Sequence, residues 1–268
     1  MYYSYEDIVK ISQENNIILS SDVLDIIESI KKSIFKEEYF KITTINKQKD
    51  NCGIICKSLN KLSDKNYQKI KEEIFLMIDD IDNENEINII SDRIFDIASS
   101  NMFLSSIYSR LYKELIEKNS SFYNVFEKNY NNYCNSFNDI NYVSNIINYD
   151  EYCNYIKQMD KIKSGFVFFI NLMKQDITTP DKIIFLCNEL IQMIKKELEY
   201  KENQEYKEEL IKSIHIIIIE SYDYIYKEPL WNNICDDIKI IQKHPNNTPK
   251  IRFKCMDIND FIKKQLNK

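Results

Sequence analysis

Catalysis needs nucleophiles, acids, bases or metal ligands gathered at workable spacings, and this chain offers few. It holds two histidines, His215 and His244. His215 adjoins a run of isoleucines, which predicts a semi-buried residue rather than a base. His244 precedes Pro245 and has no acid near it in sequence. Cys52 and Cys56 are four apart, but no second ligand pair stands at zinc spacing. The acid pairs Asp79-Asp80 and Asp236-Asp237 are adjacent in sequence. In a helix such neighbours diverge by about 100°, which suits exposed faces better than acid–base work. No Gly-rich phosphate loop or serine elbow occurs. The expectation is a non-enzyme with no metal and no cofactor, whose function lies in binding.

The elements that would carry such a function are helices. Only two Gly and four Pro occur in 268 residues, too few for the tight turns of a sandwich or barrel. Apolar residues recur at spacings of three and four. Tyr67, Ile70, Ile74, Met77 and Ile78 form one such stripe, and Ile90, Ile94, Ile97 and Ala98 a second. Leu104, Ile107, Tyr108, Leu111 and Leu115 follow. Ile183, Ile184, Cys187, Leu190, Ile191 and Ile194 lie behind Thr179-Pro180-Asp181, a helix start with a Thr cap, Pro at the first position and an acid in the first turn. Leu210, Ile211, Ile214, Ile217 and Ile218 make a further stripe. Residues 216–219 are all Ile and would pass locally for a strand, but the helical pattern around them prevails. Leu62-Ser63 predicts a Ser-capped helix start after residue 63.

Short polar joints are expected near 80–86, 99–102, 117–121, 175–179, 200–206 and 244–249. Two helices with their joints span about 40–47 residues, the period of HEAT-type repeats. A solenoid and a single helical bundle both fit this spacing. The polar stretch 41–51 is the candidate linker between an N-terminal helical arm, residues 1–40, and the main domain, residues 41–268.

The net charge of −6 argues against a wholesale nucleic-acid coat. Basic residues concentrate in 41–71, with Lys57, Lys61, Lys65, Lys69 and Lys71 among them, and again in 239–268. They are either electropositive flanks around an acidic middle or ordinary solvated faces. The longest apolar runs, 166–170 and 216–219, fall far short of the roughly 18 residues a membrane span needs. The first residues lack a basic region followed by an apolar stretch, so no signal peptide is expected. Scattered cysteines, seven in number, predict reduced core residues and a cytoplasmic protein.

Ser58-Leu59-Asn60-Lys61-Leu62-Ser63-Asp64 resembles the Ile-Leu-Asn-Lys-Leu-Thr-Pro turn of the middle domain of translation initiation factor four gamma. Three further segments follow in the family order. Asp92-Arg93-Ile94-Phe95-Asp96-Ile97-Ala98 is similar to its Leu-Ile-Phe-Glu-Lys-Ala helix, with Tyr108 about where the family has Ala-Tyr. Ser164-Gly165-Phe166-Val167-Phe168 through Leu172 is similar to its Gly-Asn-Ile-Lys-Phe-Ile-Gly-Glu-Leu helix, with the Gly displaced by about one position. Lys250-Ile251-Arg252-Phe253 followed by Met256-Asp257-Ile258-Asn259-Asp260 is similar to its Arg-Ile-Arg-Phe-Met-Leu-Gln-Asp-Val-x-Asp. The likeness spans residues 54–265. It departs at the Pro after the cap, replaced by Asp64, and in a shorter linker between the third and fourth segments.

The resemblance implies an all-α superhelix, a HEAT-like solenoid of about five antiparallel helix pairs. It implies a scaffold in translation initiation that binds and activates a DEAD-box RNA helicase of initiation factor four-A type, with RNA as a further partner. Related domains in RNA splicing, nonsense-mediated decay and nuclear cap binding share the fold with other helicases. By the resemblance, Asn60, Lys61, Asp64, Lys65, Arg252 and Asp257 would face the helicase. Arg252 and Asp257 have a rival role as an internal ion pair. Leu59, Leu62 and Phe253 are expected in the core. Tyr3, Ile8 and Val9 approximate the Tyr-x-x-x-x-Leu-apolar motif that grips the cap-binding protein, initiation factor four-E.

Overall fold

A computed structural model describes residues 10, 20–34, 51–137, 140, 142, 143 and 148–267. The chain divides into two compact units, residues 1–49 and 50–268. The first unit contributes one described helix, α1 (Ser21–Ile34), whose Val23, Leu24 and Ile26 are exposed.

The second unit is built from α2 (Asn51–Leu59), α3 (Tyr67–Asp79), α4 (Glu84–Ser99), α5 (Ser105–Lys118) and α6 (Ser121–Ser136). It continues through α7 (Tyr149–Lys174), α8 (Pro180–Glu197), α9 (Gln204–Ile225), α10 (Trp231–Lys243) and α11 (Pro249–Leu266). No strand occurs among the described residues, so the all-α expectation holds, and Ile216–Ile219 are helical. Among the described residues no helix is long and apolar enough to cross a membrane.

Helices pack on both their first and their second neighbours in sequence. α4 packs on α2 and α6; α7 packs on α5 and α9; α11 packs on α9; α10 packs on α8. Side-chain bonds join α3 to α5 and α6 to α8. The even helices thus form one layer and the odd helices from α3 onward the other. Sequence neighbours also pack in α2/α3, α4/α5, α8/α9 and α10/α11, and α4 packs on α7, an order consistent with a helical solenoid.

α3, α4, α5, α8 and α9 were legible as apolar stripes. Burial of Tyr67, Ile70, Ile74 and Ile78 seats α3, and burial of Ile183, Ile184, Cys187, Leu190, Ile191 and Ile194 seats α8. Each such aliphatic side chain withdrawn from water stabilises by about 1.5–3 kcal/mol before chain entropy is set against it. The middle of the array is aromatic. Phe95 and Tyr112 meet Phe168 edge-on at 5.6 and 6.0 Å between ring centroids. Gly165 lets α6 approach α7: a Cβ there would stand 2.5 Å from the Tyr133 ring. Tyr133 lies edge-on to Phe166 at 5.6 Å and donates its hydroxyl hydrogen to the Ile162 carbonyl.

Ion pairs cross between stacked helices along both layers. Lys71–Glu114 (2.7 Å) and Lys118–Asp79 (2.6 Å) tie α3 to α5. Lys128–Asp92 (3.1 Å) ties α4 to α6, and Lys182–Glu127 (2.6 Å) ties α6 to α8. Lys163–Glu209 (2.7 Å) and Lys174–Glu220 (3.3 Å) tie α7 to α9. Lys195–Asp237 (2.7 Å) and Lys250–Glu208 (3.1 Å) complete the series at α8–α10 and α9–α11. Exposed pairs contribute only about 0–1 kcal/mol each, so their main effect is to fix which faces meet.

Candidate functional site

The resemblance places candidate residues at two points of the array, the α2–α3 turn and the first turns of α11. At the α2–α3 turn the chain leaves α2 through Leu59 and Leu62, both buried as expected. The Tyr108 hydroxyl donates to the Leu59 carbonyl at 3.2 Å and pins the turn to α5. Asn60, Lys61, Asp64 and Lys65 are all exposed on its outer side.

Ser63 does not cap α3. The helix begins at Tyr67, after Asn66, and Ser63 lies outside it. The organiser is Asn66. Its Oδ1 accepts from the Ser63 backbone N–H at 2.7 Å and from the Ser63 hydroxyl at 2.9 Å. Its Nδ2 donates to the Lys61 carbonyl at 2.7 Å. A side-chain amide carries donors and an acceptor on separate atoms, so one Asn can close a turn on both flanks.

Beside the turn, the Arg110 guanidinium lies 3.5 Å from the Tyr67 ring centroid, a cation–π contact. The Tyr67 hydroxyl donates to Glu114 at 2.7 Å. Burial of the Tyr67 hydroxyl and its bond to Glu114 push it well above the ordinary tyrosine range. Burial works to raise the Glu114 carboxyl, but Lys71 and Tyr67 outweigh it and hold the group below its usual value.

At the α11 start, Thr248 caps in earnest: its hydroxyl accepts from the Ile251 N–H at 3.3 Å and donates to Glu208 at 2.9 Å. Arg252 and Asp257 are both exposed. They do not pair with each other; Asp257 pairs with Lys254 at 3.2 Å, one turn away. Phe253, expected in the core, is 65% exposed. The buried stripe of α11 is Ile251, Cys255, Ile258 and Ile262, at steps of four, three and four, and residue 253 falls off it. Phe253 borders a groove of about 290 Å³ that Ile211, Lys212, Lys250 and Lys254 also line. That exposed ring is a functional candidate that the sequence reading missed.

The remaining chemical candidates stay apart. His215 is half-buried; burial first, and then Lys254, hold it below the ordinary histidine range against the pull of Asp257. Cys187 and Cys255 are buried, whereas Cys52, Cys56, Cys134, Cys153 and Cys235 are only half-buried. Among the described residues no three His, Cys, Asp or Glu side chains gather as a metal site. Tyr3, Ile8 and Val9 lie outside the described residues, as do residues 41–50 of the candidate linker.

No protein-family model matches the chain, and no curated protein matches it. What the geometry offers is therefore read from the chain itself. Two sets of exposed side chains stand out, one on the hydrogen-bonded α2–α3 turn and one on the first turns of the capped helix α11.

Proposed function

We propose that this chain is a non-catalytic scaffold of translation initiation that binds and activates a DEAD-box RNA helicase of initiation factor four-A type. The supporting observation is the placement of Asn60, Lys61, Asp64, Lys65, Arg252 and Asp257. All six are exposed, on pairs separated by the rest of the array. The exposed Phe253 joins the second set, where an aromatic side chain fits the composition of protein–protein interfaces. A helicase with two mobile lobes is biased by a partner whose contacts are best in one lobe arrangement, because only differential contact shifts a population.

The test is the RNA-dependent ATPase rate of such a helicase with and without the full chain. Stimulation that the double substitution Lys61→Glu with Phe253→Ala abolishes is the expected outcome. An unchanged rate on adding wild-type protein removes the reading.

A further inference from the structure

The α4–α5 joint carries the most exposed large apolar side chain among the described residues. Phe103 is 97% exposed, and Met102 beside it is 36% exposed. A lone apolar residue at a surface is ordinary, but Phe103 differs in what adjoins it. Met102 forms one edge of a groove of about 360 Å³, lined also by Val167 of α7 and by His215, Ile216, Ile219 and Glu220 of α9. Val167, Ile216 and Ile219 stand off the buried stripes of their helices and are half-buried.

The groove carries no net charge. Glu220 pairs with Lys174 at 3.3 Å. Burial first, and then Lys254, hold His215 below the ordinary histidine range, so it is neutral near pH 7. Among the described residues no lysine or arginine lines the groove, so a nucleic-acid phosphate finds no cation there. An uncharged apolar group is what such a recess takes from water.

Ring and groove are also held together. Asn101 Oδ1 accepts from the Leu104 N–H at 3.0 Å and closes the joint, and Leu104 packs on the core. Asn171, one helical turn after Val167, donates to the Ser105 hydroxyl oxygen at 2.9 Å. The joint is thereby fastened to one of the two helices that line the groove. A projecting phenyl ring and an apolar recess thus adjoin on one rigid unit. Under a two-fold rotation each copy offers a ring to the other's recess, which is the self-complementarity an isologous interface requires.

We propose that this face joins two copies of the chain in a two-fold dimer, with Phe103 of each copy seated in the groove between Met102, Val167, Ile216 and Ile219 of the other. A buried Phe contributes about 150–250 Å². Two such contacts and their rims belong at the small end of specific interfaces, so the expected dimer is weak, with a Kd on the order of 100 µM. Self-association neither requires nor excludes a helicase, and its test contains none.

The test is sedimentation velocity of the full chain from about 5 to 500 µM, a range that brackets that Kd. Wild type should pass from monomer to dimer across it. Phe103→Asp should weaken dimerisation by at least about tenfold. The control Leu76→Asp, at an exposed apolar residue of α3, should leave it unchanged. Circular dichroism checks that the variants fold as wild type does. In a second arm, Phe103→p-benzoylphenylalanine keeps an aromatic ring at the position and should photo-cross-link a dimer. Its adducts should map to the segments around Val167 and residues 216–219. A chain that stays monomeric to about 500 µM overturns the proposal and leaves the groove to another occupant. Dimerisation indifferent to Phe103→Asp, equal loss in the control, open-ended growth beyond the dimer, or adducts confined to other segments overturn it as well.

Discussion

The α2–α3 turn and the start of α11 present the same kinds of residue and solve opposite problems. At the first, the hydroxyl residue gives its hydrogen to a neighbouring Asn, the helix begins three residues later than its Ser implies, and Lys57, Lys61 and Lys65 make no ion pair among the described residues. At the second, Thr248 caps with its side chain, which Thr179, the Thr read as a cap, does not, and it shares Glu208 with Lys250, while Lys254 pairs with Asp257. Among the described residues Arg252 alone of these charges has no ion pair, and what stands out is an exposed aromatic ring. One region offers charge on a rigid turn; the other offers an apolar anchor beside paired charges and one exposed guanidinium. A cap is decided by which polar side chain reaches the backbone first, so residue type alone does not settle it.

Stability measurements sharpen this contrast. Asn66→Ala removes two partly buried hydrogen bonds and one exposed one and should cost about 2 kcal/mol in denaturant unfolding, with Ser63→Ala costing less. Equal costs for the two would return the cap to Ser63. Thr248→Ala should cost about 1 kcal/mol, the ordinary value of a helix cap. Phe253→Ala should stay within about 0.5 kcal/mol of wild type, where a buried Phe would cost about 3–5 kcal/mol. A loss of that larger size would put the ring back in the core.

The smallest expected effect concerns acid. Glu114 beside the first region and Glu209 on α9 are both held below the ordinary carboxylate range. Burial opposes this in each, but Lys71 with Tyr67, and Lys163 with Lys212, prevail. A carboxyl depressed in the folded state contributes stability that is complete above its unfolded value near about 4.3 and lost as pH falls through the folded value. Glu114→Gln and Glu209→Gln should therefore flatten the acid limb of a stability–pH curve below that point. An unchanged slope in both would show that these pairs form equally in the unfolded chain.

The stripes that seat the helices were legible in the sequence because they depend only on local spacing. The 183–194 pattern and the joints near 80–86, 117–121 and 244–249 emerged as read. Phe253 was also legible in principle: extending the stripe of 251, 255, 258 and 262 excludes it from the core. The Asn66 turn was not, because Ser63 and Asn66 both offer side-chain acceptors and tertiary packing of Leu59 and Leu62 decides between them. The ion-pair series was beyond reach as well. Its partners stand 46 residues apart for Lys163 and Glu209, and 55 for Lys182 and Glu127. Only the stacking of pairs brings them together. That Lys57, Lys61 and Lys65 make no ion pair among the described residues is visible only once those pairings are known.

Helicase affinity measured at about 50 and 200 mM salt tests the central claim most directly, since exposed charge contacts fade over that range and apolar ones do not. The account predicts that K57E/K61E/K65E weakens binding of a four-A-type helicase chiefly at low salt, while Phe253→Ala weakens it equally at both. Absence of helicase binding, or binding indifferent to both variants at either salt, would contradict it.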